Sequence, residues 1–207
     1  MDRDTILEAA AQIISEKGFH AASMQEIAEA VSLQKASLYY HVTSKQEILL
    51  ALLDRALDIL IDRMQAVLAQ PLPPEGKLRE AMIAYLDILT EHNTLASVLL
   101  LEHRSLDPEL HDRHIPRRDK YENLWRTLIE EGIAAGVFRR NDPSFTARAL
   151  LGVMNWTITW YRPEGSLSPK EIAEQYADIF LNGLLLEDQK KKKLGSEDFK
   201  ARSEIKS

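Results

Sequence analysis

SMQEIAEAVSLQKASLYYHVTSK, residues 23–45, reads as two short helices joined by a tight turn. Met24, Ile27, Ala28 and Val31 recur at helical spacing, so the first helix has one apolar face to lay on a neighbour. Its start is marked by Ser23 and Glu26. In such a capping box the hydroxyl accepts a first-turn N–H while the carboxylate reaches back to the cap. Ser32 and Leu33 interrupt the pattern, and a second short helix is predicted from about Gln34, with Leu38 pointing inward.

What the second helix offers outward is Gln34, Lys35, Ser37, Tyr39, Tyr40 and His41, all hydrogen-bond donors, with no carboxylate between Gln34 and Gln46. A helix-turn-helix lays such a helix in the major groove, where Gln and Lys reach base edges while Tyr, Ser and Lys hold phosphates. The run Ile27-Ala28, Leu33, Ser37-Leu38-Tyr39-Tyr40-His41-Val42 and Ser44-Lys45 resembles the signature of TetR-family transcriptional regulators. That resemblance implies a double-stranded DNA operator as partner, met by Ser23, Gln25, Gln34, Lys35, Ser37, Tyr39, Tyr40, His41 and Lys45. Lys45 would serve as a sequence-independent phosphate contact, and Gln34 and Lys35 would set sequence preference. Two residues depart from the family pattern. Ser32 stands where such turns usually carry glycine, which strains the backbone if the position needs a positive φ, and Val42 replaces the commoner phenylalanine.

Bulk charge points the other way. The chain of 207 residues carries a net charge of −6, and residues 1–45 hold six acids against four bases. Any basic footprint on DNA is therefore local, and a dimer would double it. Without the family register, the same stretch is an ordinary helical hairpin.

The rest of the chain is predicted to be all-α, with about nine helices. An N-terminal helix-turn-helix domain (1–46) is followed by a ligand-binding and dimerisation bundle (47–187) and a polar, lysine-rich tail (188–207). Asp4 to Lys17 is an amphipathic helix closed by Gly18, and Phe19 resembles the family's aromatic plug. A helix from Lys45 to about Gln70 is stopped by Pro71-Leu72-Pro73-Pro74. Because its first turn belongs to the DNA-binding unit and its remainder to the bundle, it is the candidate lever. Helices follow over 75–92 and 93–104, then a turn opening at Pro108 that breaks at Pro116, and a long helix from Arg117 to Ala135 closed by Gly136. The last two run from Pro143 to Tyr161 and from Ser168 to Leu186.

Those last two helices mix small residues with large aromatics. Phe145, Ala149, Gly152 and Trp156 on one, and Ile172, Tyr176, Ile179 and Phe180 on the other, are expected to form a two-fold four-helix interface, the family's homodimer. The competing reading is that they close the monomer core.

Tyr85, Leu99, His103, Tyr121, Trp125, Trp156, Trp160 and Arg162 mix apolar bulk with polar handles and are the candidate ligand-binding residues, against a core-packing reading for most of them. Trp160-Tyr161-Arg162-Pro163-Glu164-Gly165, then Leu167-Ser168, Ile172-Ala173 and the run from Ala177 to Leu184, resembles the C-terminal part of TetR-type regulators of fatty-acid and steroid breakdown. Several of that group respond to acyl-CoA thioesters, so the resemblance implies a small-molecule effector of that kind. Arg162 with Arg104, Arg117 or Arg118 would then meet its phosphates.

Enzymatic chemistry is scarce. No residue three before His92, His103, His111 or His114 is a glutamate, so the di-iron carboxylate pattern is missing, and no phosphate loop or nucleophile elbow is found. His111 and His114 near Asp112 have a spacing that could hold a metal, but two histidines on a helix beside a proline are more often surface or hinge residues. No cofactor, metal or catalytic activity is expected. The lack of cysteine removes disulfides and thiolate sites, and the absence of a long apolar run leads us to expect a cytoplasmic protein with no membrane partner. A drug-responsive pump regulator, and a helical small-molecule-binding bundle without DNA function, are the alternatives.

Overall fold

A computed structural model describes residues 2–184. They form α1 (Arg3–Lys17), α2 (Met24–Ala30), α3 (Lys35–Leu38), α4 (Lys45–Leu68), α5 (Pro74–Glu91), α6 (Asn93–Glu102), a 3-10 turn (His103–Ser105), α7 (Pro108–Ala134), α8 (Pro143–Trp160) and α9 (Pro169–Leu184). The expected lysine-rich tail, with Lys190 to Lys193, lies outside the described residues. Among those residues, no helix is long and apolar enough to cross a membrane.

Helix starts follow side-chain chemistry. Asp2 accepts the Thr5 N–H at 2.9 Å, Ser44 accepts that of Glu47 at 3.1 Å, and Asp142 accepts those of Ser144 and Phe145. The capping box of α2 is complete: Glu26 N–H donates to Ser23 Oγ at 3.2 Å and Ser23 N–H returns to the Glu26 carboxylate at 2.9 Å. Lys17 adds an ion pair to that carboxylate at 2.6 Å. Pro74, Pro108 and Pro143 open their helices in the first turn, where a missing N–H does no harm.

Two cores share one helix. Ile48, Leu49, Leu50, Leu52 and Leu53 of α4 pack with α1–α3 around Ile6, Ile14, Ile27 and Leu38, and Phe19 plugs this cluster at 3% exposure. Further along, Leu57, Leu60, Ile61, Met64 and Val67 pack with α5 and α7–α9 around Trp125, Leu128 and Met154. Val98 of α6, Leu106 of the connection and Leu110 of α7 belong to the first core. The N-terminal core is therefore completed by residues far along the chain.

Three local expectations need correction or gain detail. The second helix of the motif is one turn, Lys35–Leu38, and Tyr39 to His41 continue it as non-helical turn. The expected break at Pro116 does not occur, because α7 runs through it. Pro116 and Asp112 both lie on the exposed face, so the carbonyl left without its partner meets water, while ion pairs from Arg113 to Glu47 and Arg117 to Asp58 hold the helix on α4 either side of the proline. Ser32 does adopt a positive φ, 56°, where glycine would be unstrained.

The end of α7 is built by close approach. Gly136 turns at φ 67°, and the N–H groups of Val137 and Phe138 both return to the Gly132 carbonyl at 2.9 Å. This folds the Phe138 ring onto Gly132, where a Cβ would lie 2.1 Å from a ring carbon.

Candidate DNA-binding surface and ligand cavity

The capped α2 and its strained turn present α3 on the outside of the first core. Gln34, Lys35, Tyr39 and His41 are exposed, Tyr40 is 90% exposed, and Ser37 is half-buried. Together they make one polar surface with a basic group and no acid. Gln25 is exposed beside it but its amide donates to Glu29 at 2.7 Å, and Ser23 is engaged as the cap. Lys45 differs from the rest. Its side chain turns inward, with Nζ donating to the carbonyls of Phe19 at 2.8 Å and Ala22 at 2.6 Å.

A cavity of about 300 Å³ lies where α4, α5, α6, α7 and α8 meet. Leu57, Leu60, Leu99, Leu100 and Leu151 supply its apolar wall. Its polar groups are arranged in pairs: Tyr85 donates to Asn155 at 2.5 Å, Arg148 sits 3.5 Å from Glu122, and His114, 3% exposed, places Nδ1 at 3.0 Å from Asp54. Burial raises the Tyr85 and Tyr121 phenols well above their usual range, so both are neutral donors. Burial also lowers His103, with the neighbouring charge of Arg104 adding to the effect. His111, His103, Arg118 and Arg148 make the remaining wall rich in cationic or polar nitrogen. An apolar body with an anionic or carbonyl-bearing end suits such a lining.

Of the residues expected from sequence, Tyr85, Leu99, His103 and Tyr121 line this cavity. The other four do not. Trp125 is sealed in the core at 0% exposure, edge-on to Tyr121. Trp156 and Trp160 lie on the outside of α8, 67% and 42% exposed, and Arg162 is exposed beyond that helix, donating to its neighbour's carbonyl. Periodicity marks an aromatic as facing something and does not say whether that is cavity, core or solvent. Sequence reasoning did not place Arg148, Glu122, Asn155 or His114 here, since each acquires its role from a partner on another helix. Arg118 lines the cavity while donating to the adjacent Asp119 at 2.9 Å, and Arg117 is taken by Asp58. Among the described residues no cluster of three His, Asp or Glu could hold a metal.

The outer faces of α8 and α9 carry Phe145 (67% exposed), Val153, Trp156, Trp160 and Ile179 (68%), large apolar side chains left to water. Ala149 is half-buried, and a Cβ at Gly152 or Gly183 would meet nothing within 4 Å. Three residues expected on this face turn elsewhere. Ile172 is 3% exposed in the bundle core. Tyr176 is half-buried, its hydroxyl 3.1 Å from that of Thr157, and Phe180 packs against the core. The inner stripe of α9 is Ile172, Ala173, Ala177, Leu181 and Leu184, whose alanines let the helix sit close.

Residues 6–52 match the family model of bacterial regulatory proteins of the tetR family, and residues 71–184 match that of the tetracyclin repressor-like C-terminal domain. The HTH-type transcriptional repressor KstR2 of Mycobacterium tuberculosis is 28% identical over 187 residues, covering 89% of this chain and 94% of that one. Among solved structures, the TetR-family regulator PfmR from Thermus thermophilus is 37% identical, with a TM-score of 0.79 over 86% of this chain and 97% of that one. AibR, solved in complex with isovaleryl coenzyme A and operator DNA, is 29% identical, with a TM-score of 0.78 over 88% of this chain and 97% of that one. With both halves matched, the chain belongs to the TetR family of bacterial DNA-binding transcriptional regulators.

Proposed function

We propose that the protein is a cytoplasmic one-component repressor. It occupies a palindromic operator as a homodimer through Gln34, Lys35, Ser37, Tyr39, Tyr40 and His41, and it is released when an acyl-CoA thioester enters the bundle cavity. The observation that carries this reading is the corner between α6 and α7. Leu99, Leu100 and His103 face the cavity, while Val98, Leu106 and Leu110 complete the DNA-binding core. A ligand that fills the cavity and moves one side of this short segment disturbs the other, which is packed into the first core. The second route is α7 itself, whose His114 lines the cavity and grips Asp54 on α4.

The effector class is supported by the lining, with leucines for an acyl chain and Arg118 and Arg148 for anionic groups, and by isovaleryl coenzyme A in the related AibR. The dimer is supported by the large side chains left exposed on α8 and α9. A ligand shifts the equilibrium only by its differential affinity for the two arrangements. The test is a mobility-shift titration on the gene's own upstream DNA at fixed salt, comparing isovaleryl-CoA, longer acyl-CoAs and free CoA. Release by an acyl-CoA and not by CoA supports the proposal; retention of the complex with every acyl-CoA contradicts its effector part and leaves DNA binding standing.

A further inference from the structure

The cavity is graded from outside to inside. Arg118, Arg148 and Gly152 are exposed at its rim, whereas Tyr85, His114 and Tyr121 are buried at its floor. Beyond the floor it adjoins an almost wholly apolar recess between α4, α5 and α6. Leu60, Tyr85 and Leu99 line both spaces, while Ala56, Ile88 and Leu89 line the recess alone. The tyrosines therefore stand between a cationic rim and an apolar end.

Two donors at this waist lack an acceptor. The Tyr85 hydroxyl is spent on the Asn155 amide oxygen at 2.5 Å, so the oxygen of that amide is used, and its N–H groups have no acceptor among the described residues. Tyr121 is held edge-on against Trp125, with ring centres 6.4 Å apart, and its hydroxyl proton likewise has no acceptor among the described residues. Its phenol is close enough to that of Tyr85 for the two to interact electrostatically, and burial keeps it neutral and able to donate. Donors buried in this way take their partner from whatever fills the cavity. A carbonyl oxygen would give both a partner, whereas a methylene in the same place would exclude water and leave them unpaired.

We propose, on the basis of the acyl-CoA reading above, that Tyr121 and Asn155 are specificity-determining residues: they donate to the carbonyl oxygen of the thioester and place it between the apolar recess and the cationic rim. Tyr85 is then a positioning residue, since its hydroxyl holds the Asn155 amide with the N–H groups left for the ligand. The order of chemistry along the cavity matches the order along the ligand, with phosphates at the arginines, the carbonyl at the waist and the acyl chain toward the recess.

The experiment is isothermal titration calorimetry of full-length wild type, Tyr121→Phe and Asn155→Asp. The probes are isovaleryl-CoA and octanoyl-CoA, each paired with the thioether in which a methylene replaces the carbonyl. The thioether keeps the CoA, the sulfur and the chain, so the ratio of the two Kd values isolates the oxygen. Wild type is expected to bind the thioester roughly tenfold or more tightly than the thioether. Tyr121→Phe removes one donor at nearly constant shape, and the ratio should fall to within about threefold. Asn155→Asp keeps an acceptor for Tyr85 but sets an oxygen where the N–H groups were, and should lower the ratio in the same way. A general loosening of the fold would weaken both members of a pair alike and leave the ratio at its wild-type value. Equal affinity of wild type for thioester and thioether, or full discrimination retained by either variant, would overturn the proposal and leave the acyl-CoA reading standing. Failure of wild type to bind any of the four probes would overturn both.

Discussion

The side chain of Gln46 bridges to Ser105 across the two halves of the molecule: its amide N–H donates to the Ser105 carbonyl at 3.0 Å, and its amide oxygen accepts the Asp107 N–H at 3.1 Å. One residue in the first turn of α4 thus closes the corner whose other face, at His103, lines the cavity.

Because both amide groups are used, Gln46→Ala removes two side chain to backbone hydrogen bonds, a loss of about 1–3 kcal/mol if neither backbone group is rescued by water. The expected phenotype is uncoupling. Acyl-CoA should bind the variant about as well as wild type in a direct binding assay, while the concentration needed to release operator rises several-fold. A variant released at the wild-type concentration would show that the corner does not carry the signal.

Ser32 holds φ at 56°, a region that disfavours any residue with a Cβ by roughly 1 kcal/mol or more. Ser32→Gly is expected to raise the thermal midpoint by a few degrees, and Ser32→Val, bulkier at Cβ, to lower it. Circular dichroism melts decide the matter. A lower midpoint for the glycine variant would mean that the hydroxyl outweighs the strain.

Glu26 titrates at about 2 rather than 4.5, chiefly because the Lys17 ammonium holds its carboxylate, and then because the Ser23 hydroxyl and N–H do. The folded value lies below the unfolded one, so the stabilisation is fully present above pH 4.5 and is lost as the pH falls through about 2. The midpoint difference between wild type and Glu26→Gln is therefore expected to be largest near neutrality and to shrink through that window. A difference that stays constant with pH would contradict the ionic origin of the cap's strength.

Trp156 is 67% exposed at the centre of the apolar face on α8. Trp156→Glu is expected to leave helicity unchanged, since the side chain is outside the monomer core, and to shift sedimentation from dimer to monomer by burying an unpaired charge in the interface. Operator affinity should collapse with it, because two half-sites are then bound independently. A variant that remains dimeric would place the interface elsewhere.

The caps, the two-helix motif and the order of the helices were readable in the sequence because each rests on interactions within four residues. Ser23 and Glu26, Pro143 at a helix start, and the stripe in α4 are all of that kind. The exposure of Gln34, Lys35, Tyr39, Tyr40 and His41 was readable for the same reason, since these side chains point outward from the motif. The cavity was half readable. Tyr85 and Tyr121 were found by residue type, but Arg148 and His114 become cavity residues only through Glu122 and Asp54 on other helices. Lys45 and Gln46 were opaque in the same way, because their partners lie 23 to 61 residues away. Pro116 misled because its consequence depends on which face of the helix meets water.

The proposed movement of the two DNA-binding units in a dimer can be tested directly. The chain has no cysteine, so Ala30→Cys, on the exposed end of α2, accepts a single spin label. Pulsed dipolar spectroscopy on the labelled dimer then reports the separation of the two units. With operator bound, one narrow distance is expected, and saturating acyl-CoA should shift it by several ångströms while free CoA leaves it in place. An unchanged distance distribution in acyl-CoA that nevertheless releases the DNA, or no dipolar signal at all, would contradict a dimer whose half-site spacing is set from the cavity.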